Sequence, residues 1–181
     1  MKVTETYLKG CFIIEPQIHE DSRGYFMESF NKQKFETAIG REISFVQDNE
    51  ALSSYGVIRG LHFQKEPYAQ AKLVRVMEGK VLDVAVDLRK DSATYGKHFS
   101  IELSASNKKQ LFVPRGFAHG YSVLSKTALF FYKCDQVYHP QSDCGIAYND
   151  PCLGIDWKIG EEHQVLSIKD QKQQPLASLL G

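Results

Sequence analysis

The sequence predicts an all-β fold, an antiparallel sandwich or barrel with a few short helices. Apolar residues recur with a period of two residues, many such short runs follow one another, and turn-forming residues separate them. A length of 181 residues fits one domain, and 43% hydrophobic residues are typical of a globular chain with a proper core. Because no repeat, linker or low-complexity segment divides the sequence, we predict a single domain over 1–181.

The run 80–88 carries this pattern most clearly. Leu82, Val84 and Val86 share one face of the predicted strand, and Asp83 lies on the other, which predicts a strand with one buried face. Similar runs lie at 24–30, 57–64, 72–77, 99–103, 110–114, 120–124 and 128–134, with turns at 53–56, 78–79, 104–107, 114–116 and 125–126. Helical periodicity is weak. It predicts two turns at 31–39 and one at 160–164, and the chain after Pro151 is expected to wrap back on the barrel.

Composition excludes several classes of protein. Lys plus Arg and Asp plus Glu both number 22, so there is no basic excess of the kind that holds a nucleic-acid backbone, and we expect no nucleic-acid partner. No apolar run resembles a signal peptide or reaches membrane-spanning length, so no membrane contact is expected. The four cysteines show neither CxxC nor zinc-like spacing, which predicts free thiols in the reducing cytoplasm.

Three of the predicted strands contain polar residues that apolar neighbours surround. On 57–64 the alternation puts His62 and Gly60 on one face and Arg59 on the other, and a glycine inside a strand indicates a close approach. Lys72 begins the second strand and Tyr132 follows four apolar residues in the third. Each has an ordinary structural explanation: a core histidine, a lysine that reaches solvent, and a strand aromatic. Spacing alone therefore does not decide whether they are functional.

A metal site is not predicted. Barrel enzymes that hold a metal commonly supply two histidines one residue apart, but the second position after His62 is Gln64, and His119 and His139 stand alone on other segments. The sequence also contains neither a GxGxxG dinucleotide motif nor a GxxxxGK[ST] phosphate loop. We therefore expect neither metal nor cofactor.

Several motifs, in their order along nearly the whole chain, closely resemble the dTDP-4-dehydrorhamnose 3,5-epimerase family. They are DSRGYFME (21–28), FVQDN (45–49), RGLHFQ (59–64), KLVRV (72–76), VLDVAVDL (81–88), VPRGFAHG (113–120), YKC (132–134) and LSIKD (166–170). The resemblance implies a cupin-type jelly-roll barrel and a homodimer in which an arm of about residues 1–30 can be exchanged. It also implies 3,5-epimerisation of a dTDP-linked 4-keto-6-deoxyhexose, without metal or cofactor.

The resemblance assigns four catalytic residues. His62 would be the general base and Asp170 its carboxylate partner, Tyr132 the general acid, and Lys72 the cation that faces the C4 oxygen. These groups suit the chemistry, because a proton beside a ketone leaves as an enolate and needs a base, an opposing acid and a positive charge at the oxygen. Without the resemblance, Asp170 would be interpreted as a surface charge.

The resemblance also implies a set of substrate contacts. Arg59 and His119 would lie near the diphosphate, Tyr138 would stack on thymine, and Lys169 would be a further contact. Asp143 stands where the family usually has glutamate, which predicts a shorter or lost contact. The nucleotide contacts, partly from the second subunit, would be Arg23, Glu28, Gln47 and Asn49.

Three alternatives remain open at this point. A 3-epimerase that inverts only C3 would share the base, the lysine and the nucleotide contacts. A non-catalytic sugar-nucleotide-binding barrel would not need His62, Lys72 and Tyr132 together. A metal-dependent cupin would need a second histidine that the spacing does not supply.

Overall fold

The computed structural model describes residues 1–179 and confirms an all-β architecture. The strands are β1 (Lys2–Glu5), β2 (Phe12–Glu15), β3 (Ile18–Asp21), β4 (Gly24–Met27), β5 (Gln47–Ser54), β6 (Ile58–Gln64), β7 (Lys72–Glu78), β8 (Lys80–Asp87), β9 (His98–Ser104), β10 (Gln110–Val113), β11 (Phe117–Val123), β12 (Thr127–Cys134) and β13 (Asp143–Gly145). The helices are α1 (Lys32–Ile39) and α2 (Ile168–Gln171), with 3₁₀ turns at Pro140–Ser142, Glu161–His163 and Leu176–Leu179.

Two antiparallel sheets form a cupin-type jelly-roll barrel. One sheet has the order β1-β2-β10-β7-β12-β5 and the other the order β13-β6-β11-β8-β9. Apolar side chains from both sheets fill the space between them, including Val74, Val81, Leu103 and Phe130. The core therefore occupies part of the barrel, and the polar residues described below line the rest.

Strand β8 is buried on both faces, which corrects the prediction of one exposed face. Its outward-pointing Val84 and Val86 pack against Leu153, Trp157 and other residues of the C-terminal segment. The described part of the chain after Pro151 thus wraps back on the barrel as expected. A local pattern could not predict this second covered face, because the covering residues come from a distant part of the sequence.

Helix α1 confirms the helix predicted at 31–39. The Asn31 side chain accepts a hydrogen bond from the backbone N–H of Lys34 at 3.1 Å, and Gly40 ends the helix in the left-handed conformation at φ 71°. Phe35 and Phe112 bury the helix against the outer face of the six-stranded sheet. The turn predicted at 160–164 is a 3₁₀ turn at Glu161–His163.

The hydrophobic pattern does not predict strand β5, because its sequence QDNEALSS is mostly polar. It is an edge strand that pairs with β12 alone, so one side of its backbone and many of its side chains remain in solvent. Its register sets Asn49 opposite Tyr132 and Gln47 opposite Cys134. Pairing with an apolar strand therefore brings two polar side chains beside Tyr132.

Strands β3 and β4 form a separate two-stranded sheet. The hairpin is exposed, and 70% of the Phe26 surface is open to solvent. Strands β1 and β2, by contrast, belong to the six-stranded sheet of their own chain. Within residues 1–179, no helix is long and apolar enough to cross a membrane.

Candidate active site

Strands from both sheets direct His62, Lys72 and Tyr132 to one place inside the barrel. Strands β6, β7 and β12 carry them, and all three side chains line a cavity of about 520 Å³. They also line a second cavity of about 310 Å³. The three residues therefore stand where the two cavities meet, with room for a ligand on both sides.

Arg59 and His62 both line the larger cavity, which corrects the prediction that they lie on opposite faces of β6. Between them Gly60 has a φ of +126°, and the pairing of β6 with β11 shifts register between His119 and Tyr121. The alternation of faces is broken at this bulge. A Cβ on Gly60 would lie 2.6 Å from the Cα of Gly120, so the predicted close approach is confirmed.

His62 and Asp170 form the central pair of the site. Nε2 of His62 lies 2.5 Å from Oδ1 of Asp170. Burial alone would raise the pKa of Asp170, but hydrogen bonds from His62 and Ser167 hold that pKa below its ordinary value. Because a carboxylate only accepts, Nε2 carries the hydrogen in this contact and Nδ1 remains as the basic nitrogen.

Asp170 is 4% exposed and is not the surface charge that its local sequence suggests. It follows Ser167, the N-cap of α2, whose hydroxyl accepts from the Asp170 N–H at 3.1 Å and donates to Oδ2 at 2.8 Å. Sequence analysis assigned no role to Ser167. An S-x-x-D capping motif could have indicated this role, because such a motif predicts hydrogen bonds between the serine and the acidic residue three positions later.

Burial shifts the titration of Lys72 and Tyr132 in opposite senses. It lowers the pKa of Lys72 and raises the pKa of Tyr132 to about 12, because both charged forms lose solvation. The Lys72 Nζ lies 5.9 Å from the centre of the Tyr132 ring. Tyr132 therefore holds its proton at any working pH, beside a cation that gives up its own proton more readily than a free lysine.

Arg59 and His119 line the same cavity, next to polar residues from other strands. Nε of Arg59 donates to Oγ of Ser53 at 3.0 Å. Nε2 of His119 lies 2.9 Å and 3.0 Å from the carboxylate oxygens of Asp83, which is 0% exposed. Asp83 was predicted to lie on a strand face but received no role. A fully buried carboxylate needs a hydrogen-bonding or charged partner, and His119 supplies one.

The second cavity contains two of the four expected nucleotide contacts, Gln47 and Asn49, together with Tyr138 and Asp143. Gln47 accepts from the backbone N–H of Tyr138 at 2.9 Å and donates to Asn49 at 2.9 Å. Asp143 accepts from the Tyr138 hydroxyl at 2.7 Å and is also paired with Lys169. Lys169 itself lines the larger cavity. The short Asp143 side chain thus holds two other predicted contact residues in position.

Arg23 and Glu28 do not reach either cavity of their own chain. Arg23 is 88% exposed in the turn of the β3–β4 hairpin and is paired with Asp21 at 2.6 Å. Glu28 follows the hairpin and is paired with Lys34 at 2.8 Å. The structure therefore does not bring these two predicted contacts to the site of their own chain.

The arrangement combines a histidine–carboxylate pair, a phenol and an ammonium group where the two cavities meet. Within the part of the chain that the structure describes, no group of three or more His, Cys, Asp or Glu side chains is placed to hold a metal ion. The groups present can remove a proton, return one, and stabilise negative charge on an oxygen. Fold and site together define a cupin-type barrel with an acid–base centre in its interior.

Comparison with known proteins identifies the family. The family model for dTDP-4-dehydrorhamnose 3,5-epimerase matches residues 5–178. The dTDP-4-dehydrorhamnose 3,5-epimerase of Escherichia coli K12 is 49% identical over 180 residues, which cover 99% of this chain and 97% of the relative. This chain belongs to the dTDP-4-dehydrorhamnose 3,5-epimerase family.

Solved structures agree with this assignment. The crystal structure of the dTDP-4-dehydrorhamnose 3,5-epimerase from Elizabethkingia anophelis NUHP1 is 56% identical with a TM-score of 0.95, covering 98% of this chain and 97% of that one. The dTDP-6-deoxy-D-glucose-3,5-epimerase of Legionella pneumophila Philadelphia 1, in complex with dTDP-4-keto-L-rhamnose, is 46% identical with a TM-score of 0.93. That match covers 97% of this chain and 93% of the Legionella chain.

Proposed function

We propose that this protein converts dTDP-4-keto-6-deoxy-D-glucose to dTDP-4-keto-L-rhamnose by inverting C3 and C5. The observation that carries the proposal is the meeting of His62, Lys72 and Tyr132 around one cavity, with Asp170 behind the histidine. Family membership and the dTDP-sugar complex of the Legionella relative support the same substrate. A site that only bound the sugar nucleotide would have no need for a base and a phenol beside an ammonium group.

The first step is proton removal next to the ketone. Nδ1 of His62 takes the hydrogen from C3 or C5, and the electron pair moves to O4 as an enolate. Asp170 stabilises the imidazolium that forms, because its carboxylate lies 2.5 Å from Nε2. The Lys72 ammonium faces the developing charge on O4, and burial of this cation makes the attraction stronger than it would be in water.

The second step is reprotonation from the opposite face. Tyr132 donates its hydroxyl proton to the carbanion carbon, which inverts the centre. His62 then releases the proton it took to solvent, and Tyr132 regains one from solvent. A pKa of about 12 keeps Tyr132 protonated until the enolate forms. The net change is an isomerisation with no redox change, so no cofactor enters the balance.

The nucleoside diphosphate part of the substrate is proposed to extend through both cavities. Arg59 and His119 would contact the diphosphate in the larger cavity, where Lys169 adds a positive charge. The exposed ring of Tyr138, beside Gln47 and Asn49, suits a planar base.

We also propose that two copies of the chain pair and exchange the β3–β4 hairpin region. Several features of the outer sheet face support pairing. Leu52 and Met77 are large and exposed, and Arg75 keeps two buried guanidinium nitrogens without a partner among residues 1–179. Exchange would bring Arg23 and Glu28 to the partner's cavity. Light scattering that shows only monomer would refute the pairing.

Proton exchange at the sugar tests the reaction. The purified protein is incubated with dTDP-4-keto-6-deoxyglucose in deuterated water, and the C3 and C5 protons are followed by NMR. Exchange at both carbons is expected. Exchange at C3 alone would make the protein a 3-epimerase, and no exchange with intact nucleotide binding would make it a binding protein.

A cytoplasmic location and the absence of nucleic-acid partners stay predictions.

A further inference from the structure

The hydroxyl of Tyr121 is a buried polar group without a hydrogen-bond partner among residues 1–179. Tyr121 is 5% exposed, lies on β11 two residues after His119, and lines the larger cavity. Buried side-chain polar atoms in native proteins nearly always have a partner, and one without a partner costs stability. Neither catalysis nor the expected substrate contacts account for this hydroxyl.

The ring of Tyr121 cannot turn away to find a partner elsewhere. It is stacked on Phe130, with ring centres 4.1 Å apart and planes 16° apart, and Phe130 is itself 1% exposed. A ring held in this way points its hydroxyl in one direction. The group is therefore positioned before any ligand arrives, which reduces the entropy cost of a hydrogen bond to that ligand.

The surroundings of the hydroxyl indicate which ligand chemistry it would meet. Burial raises the pKa of Tyr121, and weak hydrogen-bonding contacts with Ser53 and Arg59 partly oppose that rise. Neither contact has the geometry of an ordinary hydrogen bond. Arg59 and His119 line the same cavity. A neutral O–H beside the Arg59 guanidinium is suited to an anionic oxygen, which accepts from both donors.

We propose that Tyr121 is a substrate-binding residue that donates its hydroxyl proton to a diphosphate oxygen of the dTDP-linked sugar. The proposal rests on the proposed function, because it takes the diphosphate to lie at Arg59 and His119. It adds a neutral donor from the barrel interior to the cationic contacts. The hydroxyl has no partner of ordinary geometry among residues 1–179, and the bound diphosphate would supply one.

The test compares Tyr121→Phe with wild type by calorimetric titration of dTDP and by thermal unfolding without ligand. Phenylalanine keeps the stacked ring and removes only the hydroxyl. Because a hydrogen bond to a charged group is lost, we expect the Kd for dTDP to rise about 10- to 100-fold. The Tm of the free protein should not fall, because the deleted hydroxyl had no partner. Thymidine, titrated by NMR at millimolar concentration, should bind both forms equally.

Tyr7→Phe is the matched control, because its hydroxyl donates to the His98 carbonyl and lines neither cavity. It should leave the Kd for dTDP unchanged. A Tyr121→Phe protein with wild-type dTDP affinity and a lower Tm would assign the hydroxyl to ordered water and overturn the proposal. Equal weakening of thymidine would overturn the diphosphate assignment. Failure of the wild type to bind dTDP would instead refute the proposed function.

Discussion

At the scale of single residues, the proposed mechanism assigns His62 and Tyr132 to opposite faces of the sugar ring, and this difference can be measured. His62 has Asp170 at 2.5 Å and can hold an extra proton, whereas burial keeps the Tyr132 proton in place. The two side chains therefore have separate roles in exchange and in inversion.

We expect His62→Ala to lower kcat by about 10²- to 10⁴-fold, the usual contribution of a positioned acid or base. Deuterium uptake at C3 and C5 should fall in the same proportion, because the variant lacks the proposed base. Steady-state rates and NMR exchange measure both, with circular dichroism as a check on folding. A folded His62→Ala protein with wild-type turnover would refute the role of His62 as the general base.

Tyr132→Phe separates exchange from inversion. The base remains, so it can remove a proton and return deuterium to the same face. We expect deuterium uptake with retained configuration, and a loss of inverted product by about 10²-fold or more. NMR coupling patterns of the product distinguish the two outcomes. Normal inversion would exclude Tyr132 as the proton donor.

The alkaline limb of the pH profile is expected to belong to Lys72. Burial lowers its pKa below 10.5 and raises that of Tyr132 to about 12, so Lys72 loses its proton first as pH rises. The cation that stabilises the enolate is then lost, and kcat falls. Lys72→Arg, with residual activity, should move this limb to higher pH, because arginine stays protonated. An unchanged limb in this variant would contradict the assignment.

At the scale of elements, a helix of four residues positions Asp170, the carboxylate partner of His62. Helix α2 is too short to be stable alone, and the reciprocal hydrogen bonds between Ser167 and Asp170 hold its first turn. The same bonds leave Oδ1 of Asp170 free for His62.

We expect Ser167→Ala to lower kcat about tenfold with little change in KM, because one hydrogen bond to the carboxylate is lost. Ser167→Thr should restore most of the rate. Ser125→Ala is the control. The Ser125 hydroxyl also makes a hydrogen bond to the backbone, donating to the carbonyl of Thr127 at 2.6 Å, but it lies in a turn outside both cavities. Steady-state kinetics of the three variants provide the measurement. Wild-type kcat in Ser167→Ala would remove the positioning role.

At the scale of the whole molecule, Arg23 is the residue that the proposed hairpin exchange would bring to a second chain. It lies outside both cavities of its own chain, on a hairpin that neither main sheet includes. Exchange of this hairpin would make each active site a product of two chains.

Mixed dimers of Arg23→Ala and His62→Ala subunits test this arrangement. If Arg23 serves the partner's site, one site in each mixed dimer is intact, and random pairing should restore about a quarter of wild-type activity in low substrate. Co-expression with two affinity tags and an initial-rate assay measure the recovery. Should Arg23 act within its own chain, the mixture would stay as inactive as the separate variants.

The sequence by itself determined β4, the strands from β6 to β12, helix α1 and the close approach at Gly60, because alternation, helical periodicity and a glycine inside a strand are local signals. Through resemblance it also indicated the catalytic set. Only the tertiary structure decided which side chains meet. His62 and Asp170 are 108 positions apart, and the bulge that brings Arg59 to the side of His62 depends on how β6 packs against β11. Contacts of this kind depend on distant segments coming together, which no local pattern records.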